Sequence, residues 1–354
     1  HGIGVMLSIK RIKTGVEPGQ SKGGKPADAP KLKLDTVTEE HLVIVSPIPG
    51  GPAAEAGIKP GDDITAVNGK IILPFDPFQR LGIVIKEGLK MHTDRGALRK
   101  QVESEQKRLE GGMSIAEAQQ LLTTEDKTPV ELTLARKGAA KPIKVNLAPK
   151  GFTVEPIATE TLEGGQFGYV KINCFTRSAG ERLGKAIKEF KSKGVKGMVL
   201  DLRDVSGGEV DSLLQVAKYV ISKKSVGMLL KSRNRKSTLE VAPAINGDAW
   251  NDPLVVLVDG GTARTPEVLA SALKEGGAAK LVGERTYGDS VYTTFIEQAD
   301  GSGILMTTGM FLTSKGQDYT GKGVAVDVQA ASTGSGDNQL KEAVRVLASG
   351  GNRS

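Results

Sequence analysis

The stretch "VVLVDGGTARTPEVLASALKEGG", Val255–Gly277, decides the fold. An apolar run ends in Asp-Gly-Gly, and a helical pattern opens at Pro266, a residue suited to the first turn of a helix. Several enzyme folds mount a nucleophile on such a strand, tight turn and helix N-terminus. Here the turn supplies Thr262, Arg264 and Thr265, with no serine or cysteine. The mounting is present without the nucleophile.

The same grammar extends outward from about Pro149. The strand "FGYVKINCF" leads to the helix "AGERLGKAIKEFKSKG". The buried strand "KGMVLDLRD" leads through "VSGGEV" to the helix "DSLLQVAKYVISK", and "AKLVGER" supplies a further strand. Strands alternating with helices of this length predict crossover units around a central sheet, with the active edge at the strands' C-terminal ends.

The N-terminal part reads differently. "HGIGVMLSIKRIK" is a Gly-containing loop entering a strand, and residues 14–34 form a polar, Gly- and Pro-rich excursion expected to be flexible. "HLVIVSPIPGGPAAEAGIKPGDDITAVNGKII" gives strand, turn, short helix, turn and strand, with Gly69 providing the positive φ of a tight hairpin. Residues 74–112 interrupt this rhythm with two helical patterns, an inserted helical hairpin. Ser114 and Glu117 then form a capping-box signature, and "PVELTLARKGAAKPIKVNLA" reads as a β-hairpin. The expected division is residues 1–148 and 149–354, and 354 residues suffice for two cores.

Composition narrows the function classes. Charged residues are 25% of the chain with both signs interspersed, and no apolar run reaches the length of a membrane span. The net charge of +7 is spread out, and only eight Phe and five Tyr are available for stacking, which argues against nucleic acid as a partner. The single cysteine, Cys174, excludes an intrachain disulfide and a Cys-based metal site, and is expected as a buried thiol in a strand. His1, His41 and His92 match no metal-ligand spacing, so neither metal nor other cofactor is expected. The sequence opens at His1 with no initiator Met or leader, which reads as a processed or partial product.

Several motifs in one order resemble the carboxyl-terminal processing (tail-specific) protease family. They are "GIGV" at Gly2–Val5, "VSPIPGGPAAEAGIKPGDDITAVNG" at Val45–Gly69, then "GYVKI", "VLDLRDVSGGEV", "GGTARTPEVLASALKE", "LVGERTYGDS" and "GKGVAVDV". The resemblance implies a PDZ-like β-sandwich domain with a helical insertion, followed by an α/β protease-like core of the ClpP/crotonase type. The overall class is α+β / α/β. In such a PDZ module the backbone of Gly2, Ile3, Gly4 and Val5 would hold a peptide's terminal carboxylate while the peptide adds as a strand.

The family uses a serine nucleophile and a lysine general base. The resemblance puts Arg264 at the serine position, Asp289 at the lysine position and Thr293 at that of a supporting glutamine. Gly207 and Gly208 are the remnant of an oxyanion-hole loop whose usual Asn-Pro is replaced by Val205 and Ser206. Thr262 and Thr265 carry hydroxyls without a base, Ser271 lies inside the helix where packing is expected, and Ser290 follows Asp289. A lone guanidinium in such a site carries a desolvation cost that Asp289 would offset, so an Arg264–Asp289 salt bridge is expected.

These readings make the chain a non-catalytic relative, a pseudoprotease, that binds protein or peptide C-terminal tails. The alternatives are an active endopeptidase with an atypical nucleophile, or a structural subunit of a larger complex. The family's compartments favour a chloroplast thylakoid lumen over a bacterial periplasm.

Overall fold

The computed structural model describes residues 2–14, 37–74, 77–90, 94–123, 128–221, 228–232, 235–239, 248–298, 303–332 and 336–350. His1, His92 and most of the Gly- and Pro-rich excursion lie outside them. The chain divides into two units, residues 1–44 with 51–152, and residues 45–50 with 153–354.

The first unit contains β1 (Val5–Thr14), β2 (Val37–Pro47, whose last residues group with the second unit), α1 (Pro52–Glu55), β3 (Asp63–Val67) and β4 (Lys70–Ile72). The insertion supplies α2 (Pro77–Lys90) and α3 (Arg95–Glu110). Then come β5 (Gly112–Met113), α4 (Ile115–Thr123), β6 (Val130–Ala135) and β7 (Ile143–Leu147). The strands form one hydrogen-bonded sheet in the order β1-β2-β3-β4-β5, with β6 branching from β3 and pairing with β7. The β3–β4 hairpin turns on Asn68 and Gly69, both at positive φ (50° and 77°), a two-residue turn that follows the twist of the strands. Alternate residues of β6 (Val130, Leu132, Leu134) are buried with Leu42, Ile44, Ile64 and Leu147 in this unit's core. The capping box forms as expected: Ser114 N–H donates to Glu117 Oε2 at 2.7 Å, and Glu117 N–H to Ser114 Oγ at 3.2 Å. The insertion is two packed helices, and the side chain of Asp94 caps α3.

The second unit contains β8 (Ile157–Leu162), β9 (Phe167–Ile172), α5 (Arg177–Ser192), β10 (Gly197–Asp201), α6 (Val210–Val220), β11 (Met228–Ser232) and β12 (Arg235–Leu239). It continues with β13 (Leu254–Val258), α7 (Thr265–Glu275), β14 (Lys280–Gly283), β15 (Val291–Glu297), β16 (Gly303–Leu312), β17 (Val328–Gln329) and α8 (Asn338–Ala348). The main sheet runs β17-β14-β13-β10-β9-β8, parallel throughout except for β8. Because β10 and β13 are buried on both faces, their sequences are continuous apolar runs. The period of two still sorts them. Met198, Leu200, Val256 and Val258 pack with residues of α5, α6 and α7, whereas Val199, Val255 and Leu257 pack with α8. The chain therefore advances along the sheet with the crossover helices on one face and its last helix on the other.

Two features differ from the sequence reading. A second sheet, antiparallel in the order β12-β11-β16-β15, stands beside the crossover pattern. Cys174 lies just beyond the end of β9 and is half-buried, not inside the strand; burial, reinforced by nearby Glu155, pushes its thiol up.

Candidate functional site

The site is built at the C-terminal ends of β10 and β13. After β13, Asp259 to Thr262 close a tight turn: Thr262 N–H donates to Asp259 C=O at 3.0 Å and Asp259 N–H to Thr262 Oγ1 at 3.0 Å. Thr262 Oγ1 donates to Leu202 C=O (2.9 Å), Ala263 N–H donates to Val205 C=O (3.1 Å), and Ser206 bridges Ala263. These bonds lock the loop after β13 to the loop after β10.

Arg264 follows, with φ 60° and ψ −122°, a backbone conformation that L-residues adopt only under constraint. It precedes the first turn of α7, and its own side chain does not cap that helix. Its Nε lies 2.7 Å from Asp289 Oδ2, and its N–H donates to Asp289 C=O at 3.2 Å. The expected ion pair is present, with side-chain exposures of 26% for Arg264 and 10% for Asp289. It is a half-sheltered pair, so its removal should matter more than that of a surface salt bridge. Asp289→Ala is expected to cost about 1–3 kcal/mol, less than a fully buried pair because water still reaches Arg264. Denaturant melts of Asp289→Ala against the wild type read it, and an unchanged midpoint would show that the pair carries no stability.

Glu267, three residues past Arg264, was not singled out by the sequence reading. It is fully buried, and both its oxygens accept from the loop carrying Asp289. Oε1 accepts from Gly288 N–H at 2.8 Å and from the Thr286 hydroxyl; Oε2 accepts from Asp289 N–H at 3.1 Å. Burial pushes its carboxyl up to about 7 despite these three donors. In sequence it is an ordinary first-turn acid. Only its burial distinguishes it, and burial is a tertiary property.

A second polar cluster closes the end of β10. Asp201, almost fully buried, accepts from Tyr169 Oη at 2.7 Å and from the Arg203 guanidinium, and Lys171 Nζ lies 3.3 Å away. Burial alone would raise Asp201, but Lys171 and Arg203 outweigh it and hold its carboxyl below the usual range. Arg203 also reaches Asp337 and Gln339 at the start of α8. Next to it, burial and the neighbouring Asp259 push Asp204 up to about 7.

The remaining candidates are placed as follows. Thr293 sits in β15 opposite Thr307, beside a bulge between Tyr292 and Thr293. Gly207 and Gly208 have positive φ (78° and 110°), but Gly207 N–H donates to Ala263 C=O at 3.3 Å, so it is committed to joining the two loops. Gly208 C=O accepts from Thr265 Oγ1 at 2.9 Å. Ser290 Oγ lies 2.5 Å from Thr320 Oγ1, and Ser271 is buried in α7 with no partner for its hydroxyl. In the first unit, Gly2 pairs with Lys150 in both directions, so its amide is also committed. Ile3 is buried and its C=O accepts from Ala53 N–H at 2.9 Å. Gly4, at φ 74°, is required: a Cβ there would meet Gly51 Cα at 3.1 Å and the Phe152 ring at 3.2 Å. Val5 opens β1.

With this geometry in hand, the family models match in the same two places: peptidase family S41 over residues 166–330 and a PDZ domain over residues 43–84. The chain belongs to the carboxyl-terminal processing protease family. Among curated relatives, the carboxy-terminal processing protease CtpA of Bacillus subtilis is 30% identical over 290 residues, covering 82% of this chain and 53% of that protein. The chloroplastic C-terminal processing peptidase of Tetradesmus obliquus is 28% identical over 314 residues, 84% of this chain and 59% of that protein. The chain thus spans a little over half the length of these two relatives. A solved photosystem II D1 C-terminal processing protease superposes with a TM-score of 0.67 at 26% identity, over 98% of this chain and 76% of that one. The family fixes the two domain types and the serine-peptidase ancestry of the second unit. No described helix is long and apolar enough to cross a membrane.

Proposed function

We propose that this chain is a non-cutting member of the family that holds protein C-terminal tails. The observation that carries the reading is the Arg264–Asp289 pair, 2.7 Å apart, on the strained turn between β13 and α7. A guanidinium has no neutral form at working pH, and a carboxylate engaged by it is a poor general base. The neighbouring hydroxyls offer no replacement. Thr262 donates to Leu202 C=O, Thr265 to Gly208 C=O, and Ser290 pairs with Thr320. Threonine or serine needs a partner base to attack a peptide carbonyl.

Tail binding falls to the first unit. Among the described residues β1 is an edge of its sheet, and the Gly2–Val5 loop leads directly into it, so a peptide can add beside β1 with its carboxylate toward the loop amides. With Gly2 committed to Lys150, Ile3 and Gly4 are left to contact the carboxylate. The partner is a C-terminal tail, free or displayed by a larger complex. Relatives from chloroplasts and from bacteria both align, and the chloroplast thylakoid lumen is kept ahead of a bacterial periplasm as the compartment.

The test joins two measurements on the wild-type chain. Incubation with tail peptides should give no fragment above a heat-killed control. A labelled tail peptide should bind, with its C-terminal amide at least about tenfold weaker because the loop would lose a charged acceptor. Cleavage abolished by Thr265→Ala would overturn the reading.

A further inference from the structure

Among the described residues β15 pairs with β16 alone, which makes it an edge of the antiparallel sheet. An edge strand leaves backbone N–H and C=O groups unpaired along its outer side, and proteins guard such edges with charge, proline or brevity. The other edges among the described strands follow that rule. β7 carries Lys144, β8 carries Glu160, β5 and β17 are two residues each, and β1, whose start the proposed function gives to a peptide, carries Lys10 and Arg11 in its second half. β12, the opposite edge of the same sheet, reads RKSTL. β15 reads VYTTFIE, with no cation, no proline and one charge at its last residue, Glu297. Its one irregularity falls early, between Tyr292 and Thr293, and leaves Thr293–Glu297 regular.

One face of the hairpin also exposes apolar side chains. Ile296 lies opposite Ile304, and Met306 lies opposite Thr294. Residues two apart on a strand share a face, so these four form one patch. Ile296, Ile304 and Met306 are 38%, 47% and 47% exposed. Thr294 Oγ1 is already bonded to Thr308 Oγ1 at 2.6 Å, so the patch carries little unmet polarity.

We propose that β15 pairs edge to edge with β15 of a second copy of this chain, antiparallel about a two-fold axis at position Phe295. The register is self-complementary, as a two-fold interface requires. Within the regular stretch, Thr294 falls opposite Ile296 of the second copy and Thr293 opposite Glu297, whose carboxylate can accept a threonine hydroxyl. The two Glu297 residues are then about 13 Å apart, beyond the reach of strong repulsion at physiological salt. The two Ile296 side chains become diagonal neighbours, so both exposed patches merge across the axis and the two four-stranded sheets become one. An unrelated peptide strand could use the same backbone groups, but nothing in it would match this patch by symmetry.

Sedimentation velocity of the full chain up to about 100 μM tests the pairing. The wild type should show a reversible monomer–dimer equilibrium, and the amides of β15 should gain hydrogen-exchange protection as concentration rises. Ile296→Lys places two ammonium groups as diagonal neighbours beside the axis and should weaken dimerisation at least about tenfold, and Ile304→Lys, one strand further out, should weaken it less. Both sites are exposed, so the melting temperature of the dilute monomer should be unchanged. A wild type that stays monomeric throughout, or a dimer that survives both lysine variants, would overturn the proposal.

Discussion

Glu267→Ala should cost the second unit about 3–5 kcal/mol. The residue is fully buried, and its truncation strands three donors at once: Thr286 Oγ1, Gly288 N–H and Asp289 N–H. A buried donor left without an acceptor costs about 1–3 kcal/mol, and the empty volume adds to that. The same truncation unties the loop that carries Asp289, so the Arg264 ion pair should loosen with it. Glu267→Gln separates the two contributions. It keeps the shape and one acceptor oxygen but turns an NH2 toward Asp289 N–H, and should cost less. It should also change the pH profile. In the folded chain burial moves this carboxyl from 4.5 to about 7, so between those values the native state holds a proton that the unfolded chain has released. That contribution to stability is complete below about pH 4.5 and is lost as pH rises to about 7, worth about 3 kcal/mol. Asp204, also raised to about 7, contributes in the same direction. Denaturant melts from pH 4.5 to 8 should show stability falling with pH in the wild type and a shallower fall in Glu267→Gln. Equal slopes would mean that Glu267 is not the titrating group.

The elements around this site show what a sequence can and cannot disclose. β10 and β13 are legible because burial on both faces leaves unbroken apolar runs, and α7 because proline marks its first turn. The Arg264–Asp289 pair is legible because opposite charges occupy two positions where the family resemblance calls for neutral chemistry. The antiparallel sheet is harder to see. β11 pairs with β16 across some eighty residues, and no local pattern in "MLLKS" or "GILMTTGMFL" names that partner. Backbone commitments are equally hidden. Glycine at position 2 or 207 announces conformational freedom, yet both amides are spent, on Lys150 and Ala263. Glu267 reads as a solvent-facing acid in a helix's first turn until the fold turns it inward. In each case the missing information is a long-range contact, and the charge or volume that makes the contact decisive acts only once the chain is folded.

On the proposed reading, the Arg264–Asp289 pair is what would separate this chain from a cutting relative, and its replacement is the sharpest test of that reading. Arg264→Ser combined with Asp289→Lys should create measurable hydrolysis of a tail peptide, whereas neither single variant should. The strained backbone at 264 already projects its side chain from the turn between β13 and α7, so a serine there inherits the mounting. A lysine at 289 enters a site where Asp289 is only 10% exposed, and that burial favours the neutral amine needed to take the serine's proton. Glu267, bonded to the backbone of residue 289, opposes this by stabilising the ammonium when it is itself ionised. The rate should therefore climb with pH as the amine loses its proton. A positioned base is worth about 10²–10⁴-fold, and the double variant should fall at the lower end of that range. The loop after β10 sets that ceiling, because Gly207 N–H points at Ala263 C=O rather than toward a reacting carbonyl. Val205→Asn and Ser206→Pro, added to the double variant, should raise the rate further if they release that amide. A wild-type chain cleaving as fast as the double variant would place the nucleophile elsewhere.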